Sequence, residues 1–273
     1  MTRPGLPKLV ATDLDGTLVR SDETVSAYTH EVLDRVRAAG IPVVCATGRG
    51  PRLTELTRND IRAADFLVMA GGGRVVDQSD PAGPLVLRDE RLSGEVLARL
   101  VADLETAVGP LTVMVEASDE HDAPLWGDYH PSWPYPDRFE ARTRDECLSG
   151  DVIKAFARTA GHHVDTLLET ARRIIPAEVA SLTQAGLGFV EISPPGVDKA
   201  SGLTVVAQRL GVDPAEVLVF GDMPNDLPMF AWAGWGRVAV SNAHPAVRAA
   251  SDEVTLRNDD DGVAVYLDRL LSR

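Results

Sequence analysis

Asp13 and Asp15 stand two positions apart in LVATDLDGTLV (9–19), where an apolar run stops. Along extended backbone, side chains at i and i+2 share a face roughly 6–7 Å apart, so the two carboxylates can reach one substrate from neighbouring points. They need not do the same work. An ionised carboxylate can attack phosphorus and form an aspartyl-phosphate, while the other protonates the leaving alcohol and then deprotonates the hydrolytic water. Gly16 lets the backbone come close, and Thr17 supplies a hydroxyl near the following turn.

A second apolar run, VLVFGDMPND (217–226), ends in Asp222, Asn225 and Asp226. Carboxylates gathered at one rim repel each other, and only a cation or a proton relieves the cost. Oxygen-only donors favour a hard ion, so Mg²⁺ is the expected cofactor; no His or Cys set suits zinc. A phosphoryl group in flight also needs donors and a positive side chain. Thr47 and the N–H of Gly48 in CATGRG (45–50) can supply the first, with Arg49 beside them. Lys199, in PPGVDKASGL (194–203), stands where a predicted helix begins and its dipole favours anions.

These residues need strands to carry them. LVAT (9–12), IPVVCAT (41–47), FLVMA (66–70), VLVF (217–220) and RVAV (237–240) read as buried strands. Glu23 to Ala39 and Lys199 to Leu210 read as amphipathic helices between them. Strand alternating with helix predicts an α/β, doubly wound parallel sheet, which binds ligands beyond its strand carboxyl ends. The middle of the chain differs: strands at 111–117, 151–157 and 178–184 with helices at 93–108 and 163–173 predict an inserted α+β domain. The expected division is a core of 1–82 and 190–273 and an insert of 83–189, with crossings near Asp80–Pro84 and Pro194–Gly196.

The formal net charge of −14 opposes nucleic acid and anionic lipid, so neither is an expected partner. An anionic substrate then needs local compensation from a metal, Lys, Arg or backbone N–H groups. Two distant cysteines, Cys45 and Cys147, no long apolar stretch and no signal-like opening segment point to a reduced cytoplasmic setting. Monomer and homodimer are equally compatible with the sequence.

In their order along the chain, DLDGT (13–17), ATGR (46–49), GVDKASGL (196–203) and GDMPND (221–226) resemble the motifs of the haloacid dehalogenase (HAD) superfamily. The insert position and the ending VAVSNAHPAVRAASDEVT with DDDGVA (238–264) resemble its Cof-type (subclass IIB) phosphatases, which carry a type-2 cap. The resemblance implies a Rossmann-like core, Asp13 as nucleophile, Asp15 as general acid/base, and Thr47 and Lys199 as phosphoryl-binding residues. It implies that Asp13, the Asp15 carbonyl and Asp222 hold Mg²⁺, with Asn225 and Asp226 supporting the metal or its waters. A second aspartate favours phosphoester chemistry over dehalogenation, because a leaving alkoxide needs a proton and a halide does not. One departure stands out: relatives usually carry Asn-Gly-Ala after the third strand, and this chain has Gly71-Gly72-Gly73.

The expected activity is thus Mg²⁺-dependent hydrolysis of a phosphomonoester of a small metabolite, such as a sugar phosphate. Two alternatives share the motifs: a phosphomannomutase-like phosphotransferase, and a catalytically silent protein that binds phosphorylated ligands. Other residues have blander readings beside any functional one. Trp126, Tyr129, His130, Trp133 and Tyr135 form either an aromatic wall for the leaving group or loop packing. His162 and His163 read as a helix cap, Trp232 and Trp235 as core, and Cys45 as a small apolar residue.

Overall fold

The structure, a computed structural model, describes residues 5–127, 133 and 138–272. Its strands are β1 (Leu9–Thr12), β2 (Val43–Ala46), β3 (Phe66–Met69), β4 (Arg74–Asp77), β5 (Leu85–Asp89), β6 (Thr112–Glu116), β7 (Leu125–Gly127), β8 (Phe139–Glu140), β9 (Lys154–Arg158), β10 (Ser181–Thr183), β11 (Val190–Ser193), β12 (Val217–Gly221), β13 (Gly236–Ala239) and β14 (Glu253–Val254). The helices are α1 (Ala27–Ala38), α2 (Thr54–Asp60), α3 (Gly94–Val108), α4 (Arg144–Cys147), α5 (Val164–Ile174), α6 (Lys199–Leu210), α7 (Leu227–Trp232), α8 (Pro245–Ala250) and α9 (Gly262–Leu271). Among the described residues no helix is long and apolar enough to cross a membrane.

The first unit runs to Gly48, from Glu55 to Arg88, and from Asp198 onward. Its sheet has the order β14-β13-β12-β1-β2-β3-β4-β5. The pairs from β14 through β3 are parallel, and β4 turns back antiparallel on β3. Every residue of β1, β2, β3 and β12 is buried, as unbroken apolar runs require when helices cover both faces. Cys45 is one of them, packed in the apolar core, with Trp232 and Trp235 partly buried against it. The doubly wound core is therefore present, with β4 as its antiparallel departure.

Helix α1 begins at Ala27 and not at Glu23. Asp22 accepts both the N–H and the hydroxyl of Thr24 at 3.1 and 2.6 Å, and Glu23 sits at φ +63°, so residues 22–24 form a turn. Ser26 then caps the helix by accepting the Thr29 N–H at 3.0 Å.

The second unit comprises Arg49–Thr54 and Asp89–Val197. Its sheet has the order β10-β11-β9-β6-β7-β8, antiparallel except for β7 with β8. Strand β11 pairs with β9 and β10, so residues 190–193 sit in this sheet, whereas the sequence pattern placed the start of the core at 190. Leu85 to Arg88 go with the core sheet, although the sequence pattern placed the start of the insert at 83. β9 starts at Lys154 because Val152 is taken up in a bridge to Leu92, at 2.8 and 2.9 Å. Residues 49–54 join this unit through Arg52, whose guanidinium is 2.5 Å from the buried Glu116 carboxylate and 5.8 Å from the Trp133 ring centre.

Trp133 itself packs edge-on against Phe156 and Phe189, at 4.8 and 5.5 Å between ring centres. Trp126 lies beneath the Arg142 guanidinium at 5.0 Å. Packing is thus the role seen for Trp133; Tyr129, His130 and Tyr135 lie outside the described residues. His163 caps α5, its Nδ1 accepting the Asp165 N–H at 3.4 Å.

Candidate active site

Strands β1 and β12 are hydrogen-bonded neighbours with Thr12 opposite Phe220. The next residue of β1, Asp13, donates its N–H to the Phe220 carbonyl at 3.0 Å. Asp13 and Asp222 therefore leave the same sheet edge side by side, although 209 positions separate them. Helix α6 brings the cation. Asp198 caps it by accepting the Ser201 N–H at 2.7 Å, which sets Lys199 at its first residue. The Lys199 Nζ lies 2.5 Å from Asp13 Oδ1 and 2.6 Å from Asp226 Oδ1.

Asp226 commits both oxygens inside this unit. Its Oδ2 accepts the backbone N–H groups of Asp222 and Met223 at 2.8 and 3.0 Å. That fold-back needs Gly221, since a Cβ there would meet the Asp226 Cγ at 2.6 Å. Thr17 donates its hydroxyl to Asp222 Oδ1 at 2.9 Å. Asp15 is half-buried and bridges to Val19 across the intervening turn. Thr47 is buried; its N–H goes to the Val68 carbonyl at 2.8 Å, and its carbonyl accepts the Gly71 N–H at 3.0 Å. Gly48 follows as the last residue of that segment in the first unit, while Arg49, also buried, groups with the second.

The four central side chains are Asp13, Asp222, Asp226 and Lys199, with 5%, 6%, 0% and 1% of their surface exposed. Little water screens them, so charge dominates. Burial pushes the Asp13 carboxyl well above its ordinary value, against the pull of Lys199. Burial, then repulsion from Asp226, lifts Asp222 to about 7, with the Thr17 hydroxyl pulling the other way. Burial works against the Lys199 ammonium too, yet Asp13 and Asp226 outweigh it and hold its pKa above the ordinary lysine value. One ammonium thus faces three carboxyl groups, a local excess of negative charge.

Oxygens of Asp13, Asp222 and Asp226 lie within 4.8 Å of one another. Asn225 Oδ1, from the short turn Pro224–Asp226, is buried without a hydrogen-bond partner. Three converging buried carboxyl groups, with an orphaned amide oxygen on the residue before Asp226, fit a hard divalent cation with oxygen ligands.

The glycine triplet has a structural role here. Gly72 sits at φ +113°, and a Cβ on it would come 2.0 Å from the Asp198 carbonyl. Gly202 faces it, where a Cβ would meet Gly72 Cα at 2.9 Å. Backbone packed on backbone thus seats the first turn of α6, and Lys199 with it, against the turn after β3.

A family model for haloacid dehalogenase-like hydrolases matches residues 10–267. The chain belongs to that family. Among curated relatives of this HAD-like hydrolase, 5-amino-6-(5-phospho-D-ribitylamino)uracil phosphatase YitU of Bacillus subtilis is 28% identical over 275 residues, covering 97% of this chain and 98% of that protein. Phosphoglycolate phosphatase of Archaeoglobus fulgidus is 28% identical over 261 residues, covering 96% of each. A solved haloacid dehalogenase-like hydrolase from Bacteroides thetaiotaomicron is 26% identical with a TM-score of 0.72, covering 97% of this chain and 99% of the other. BT1666 from the same organism, 21% identical with a TM-score of 0.79, covers 100% of this chain and 99% of its own and shows the shared fold. Both of these curated relatives are named phosphatases.

Sequence reasoning left out Asn242, whose Nδ2 donates to the Gly16 carbonyl at 2.8 Å, and the close approaches that Gly72, Gly202 and Gly221 permit. An asparagine or glycine near a turn reads as a turn former, and only the fold shows what approaches it.

Proposed function

We propose that this HAD-type phosphatase hydrolyses a phosphomonoester of a small metabolite, requires Mg²⁺, and works through an aspartyl-phosphate on Asp13. The observation that carries the reading is the buried set of Asp13, Asp222 and Asp226 around Lys199. The named substrates of the relatives, a ribitylamino-uracil phosphate and phosphoglycolate, support a small phosphorylated metabolite as the class.

In this reading Asp13 attacks phosphorus as a carboxylate, forming an O–P bond as the bond to the leaving oxygen breaks. Protonated Asp15 gives its proton to that oxygen, and the alcohol departs. Asp15, now a carboxylate, takes a proton from water; the water oxygen attacks phosphorus, and the Asp13 O–P bond breaks to release phosphate. Lys199 and the donors at Thr47 and Gly48 hold the phosphoryl oxygens, where charge builds in the transition state, with Arg49 as a further candidate. Asp13, the Asp15 carbonyl, Asp222 and Asn225 would hold Mg²⁺, which when bound neutralises the acids and the phosphoryl charge. Asp226, with both oxygens committed, supports the loop and orients Lys199.

The test is inorganic phosphate released from a panel of phosphorylated metabolites, with Mg²⁺ or with chelator and no added acceptor. Mg²⁺-stimulated release from at least one monoester is expected. Transfer only when an acceptor sugar is supplied would favour a phosphotransferase, and binding without turnover across the panel would sink the enzymatic reading.

A further inference from the structure

Two polar stretches near the end of the chain, VSNAH (240–244) and RNDDDG (257–262), have no part in the phosphoryl chemistry. Both close on the segment that follows Asp15. Asn242 Nδ2 donates to the Gly16 carbonyl at 2.8 Å, and its Oδ1 accepts the Asn258 N–H at 3.0 Å. Asn258, itself buried, passes its Nδ2 to the Val19 carbonyl at 3.0 Å. Further along, Arg20 pairs with Asp261 at 3.1 and 2.5 Å, and Ser21 gives its N–H and hydroxyl to Asp259 at 2.8 and 3.0 Å.

Within the loop the backbone bonds converge on one point. Thr17, Leu18 and Val19 all direct their N–H groups to one acceptor, the Leu14 carbonyl, at 3.0, 2.9 and 2.9 Å. Gly16, at φ +81°, adds no side chain to restrict its backbone. Rotation there would swing the neighbouring Asp15 carbonyl and carboxyl together. The same short turn reaches the opposite loop as well, because the His244 N–H donates to the Asp222 carbonyl at 2.7 Å.

We infer that Asn242 is a positioning residue: one turn, 242–244, grips the Asp13–Asp15 loop at Gly16 and the Asp222 loop at its main chain, and so sets the distance between them. The inference rests on Asp13, Asp15 and Asp222 being the reacting set. Asn258 is the relay that locks the Asn242 amide in one orientation, with its oxygen satisfied by a backbone donor and its nitrogen left for Gly16.

Two variants test it. Asn242→Ala removes both bonds; Asn242→Asp keeps an acceptor for the Asn258 N–H and loses the donor to Gly16. Amide hydrogen exchange needs neither substrate nor metal. Loss of the solvent-exposed hydrogen bond to the Gly16 carbonyl, common to both variants, is expected to speed exchange of the 14–19 peptide by about 3- to 10-fold, while β1 and β2 keep the parent rate. With Mg²⁺ and a substrate, kcat is expected to fall by about tenfold or more with KM within about twofold, since geometry and not binding is lost. Parent-like exchange of 14–19 in Asn242→Asp, a kcat near the parent's in both variants, or faster exchange spread evenly over β1 and β2 would each overturn the inference. If the parent protein itself releases no phosphate, the functional reading fails, and the exchange comparison still decides whether Asn242 holds the loop.

Discussion

Gly16 and Asp222 approach so closely that a Cβ on residue 16 would lie 2.5 Å from Asp222 Oδ2. Residue 16 also sits at φ +81°, a conformation costing a side-chain-bearing residue about 1–2 kcal/mol. Gly16→Ala is therefore expected to push the Asp222 carboxylate out of place in addition to straining the loop. Phosphate release should fall far more than the strain alone explains, by about a hundredfold, as misplaced reacting groups do. Steady-state kinetics beside a denaturant titration separate the two; loss of stability without loss of kcat would show that Asp222 has room to move.

Asp13→Asn keeps an oxygen that Lys199 can donate to and removes one buried negative charge. Lys199 retains Asp226 at 2.6 Å, so no cation is stranded in the core. Turnover should drop by at least about a thousandfold, since an amide oxygen cannot form the phosphoryl ester. The metal-free melting midpoint should stay level or rise, because burial, together with repulsion from Asp226 and Asp222, disfavours the Asp13 charge by more than Lys199 favours it. Assay and thermal melt on one preparation check both; near-normal activity would remove Asp13 as the nucleophile.

The acid cluster sets a pH dependence for the metal-free protein. The Asp222 carboxyl rises from an ordinary 3.8 to about 7 on folding, and Asp13 shifts the same way. A carboxyl whose folded pKa lies above its unfolded one binds more protons when folded, so stability is full below the unfolded value and declines as pH climbs through the folded value. In chelator, the melting midpoint should fall from about pH 5 to about pH 8. Carboxyls held low by partners, such as Asp77 with Ser79 and Arg209 against its burial, act below that window. Mg²⁺ should raise the midpoint more at the upper end than at the lower, since only ionised acids bind it. A midpoint flat over this range in chelator would mean the cluster is not desolvated as described.

Much of this was readable from residue types. Runs such as LVAT and VVCA have one meaning, a strand covered on both faces, and a polar residue at the end of such a run is at a ligand-binding edge. Asp13, Asp222 and Lys199 were legible because their motifs end or begin elements. The place of Asp226 beside Asp222 was legible but its fold-back onto the Asp222 and Met223 N–H groups was not, because that needs Gly221 beneath it. The antiparallel β4 was hidden, since the turn Ala70–Gly73 depends on glycines at φ +66° and +113° that a run of three glycines does not announce. Trp133 could not be placed from its own stretch, because Phe156 on β9 and Phe189 just before β11, which pack against it, are remote in sequence. The amide of Asn242 was invisible for the same reason, its acceptor lying 226 positions away.

The glycine triplet separates two similar substitutions. Gly71 sits at φ +66° with nothing within 4 Å of a would-be Cβ, and asparagine tolerates that backbone, so Gly71→Asn should leave stability and turnover close to the parent's. Gly72 sits at φ +113° with the Asp198 carbonyl where the Cβ would go. Gly72→Ala must push α6 from the sheet, and with it Lys199, 2.5 Å from Asp13. A loss of roughly 3 kcal/mol or more is expected from strain and steric clash together, with kcat falling by at least about tenfold. Denaturant unfolding and kinetics on the two variants side by side give the answer. Equal effects, or a harmless Gly72→Ala, would mean that the close contact between this turn and α6 does not set the position of Lys199.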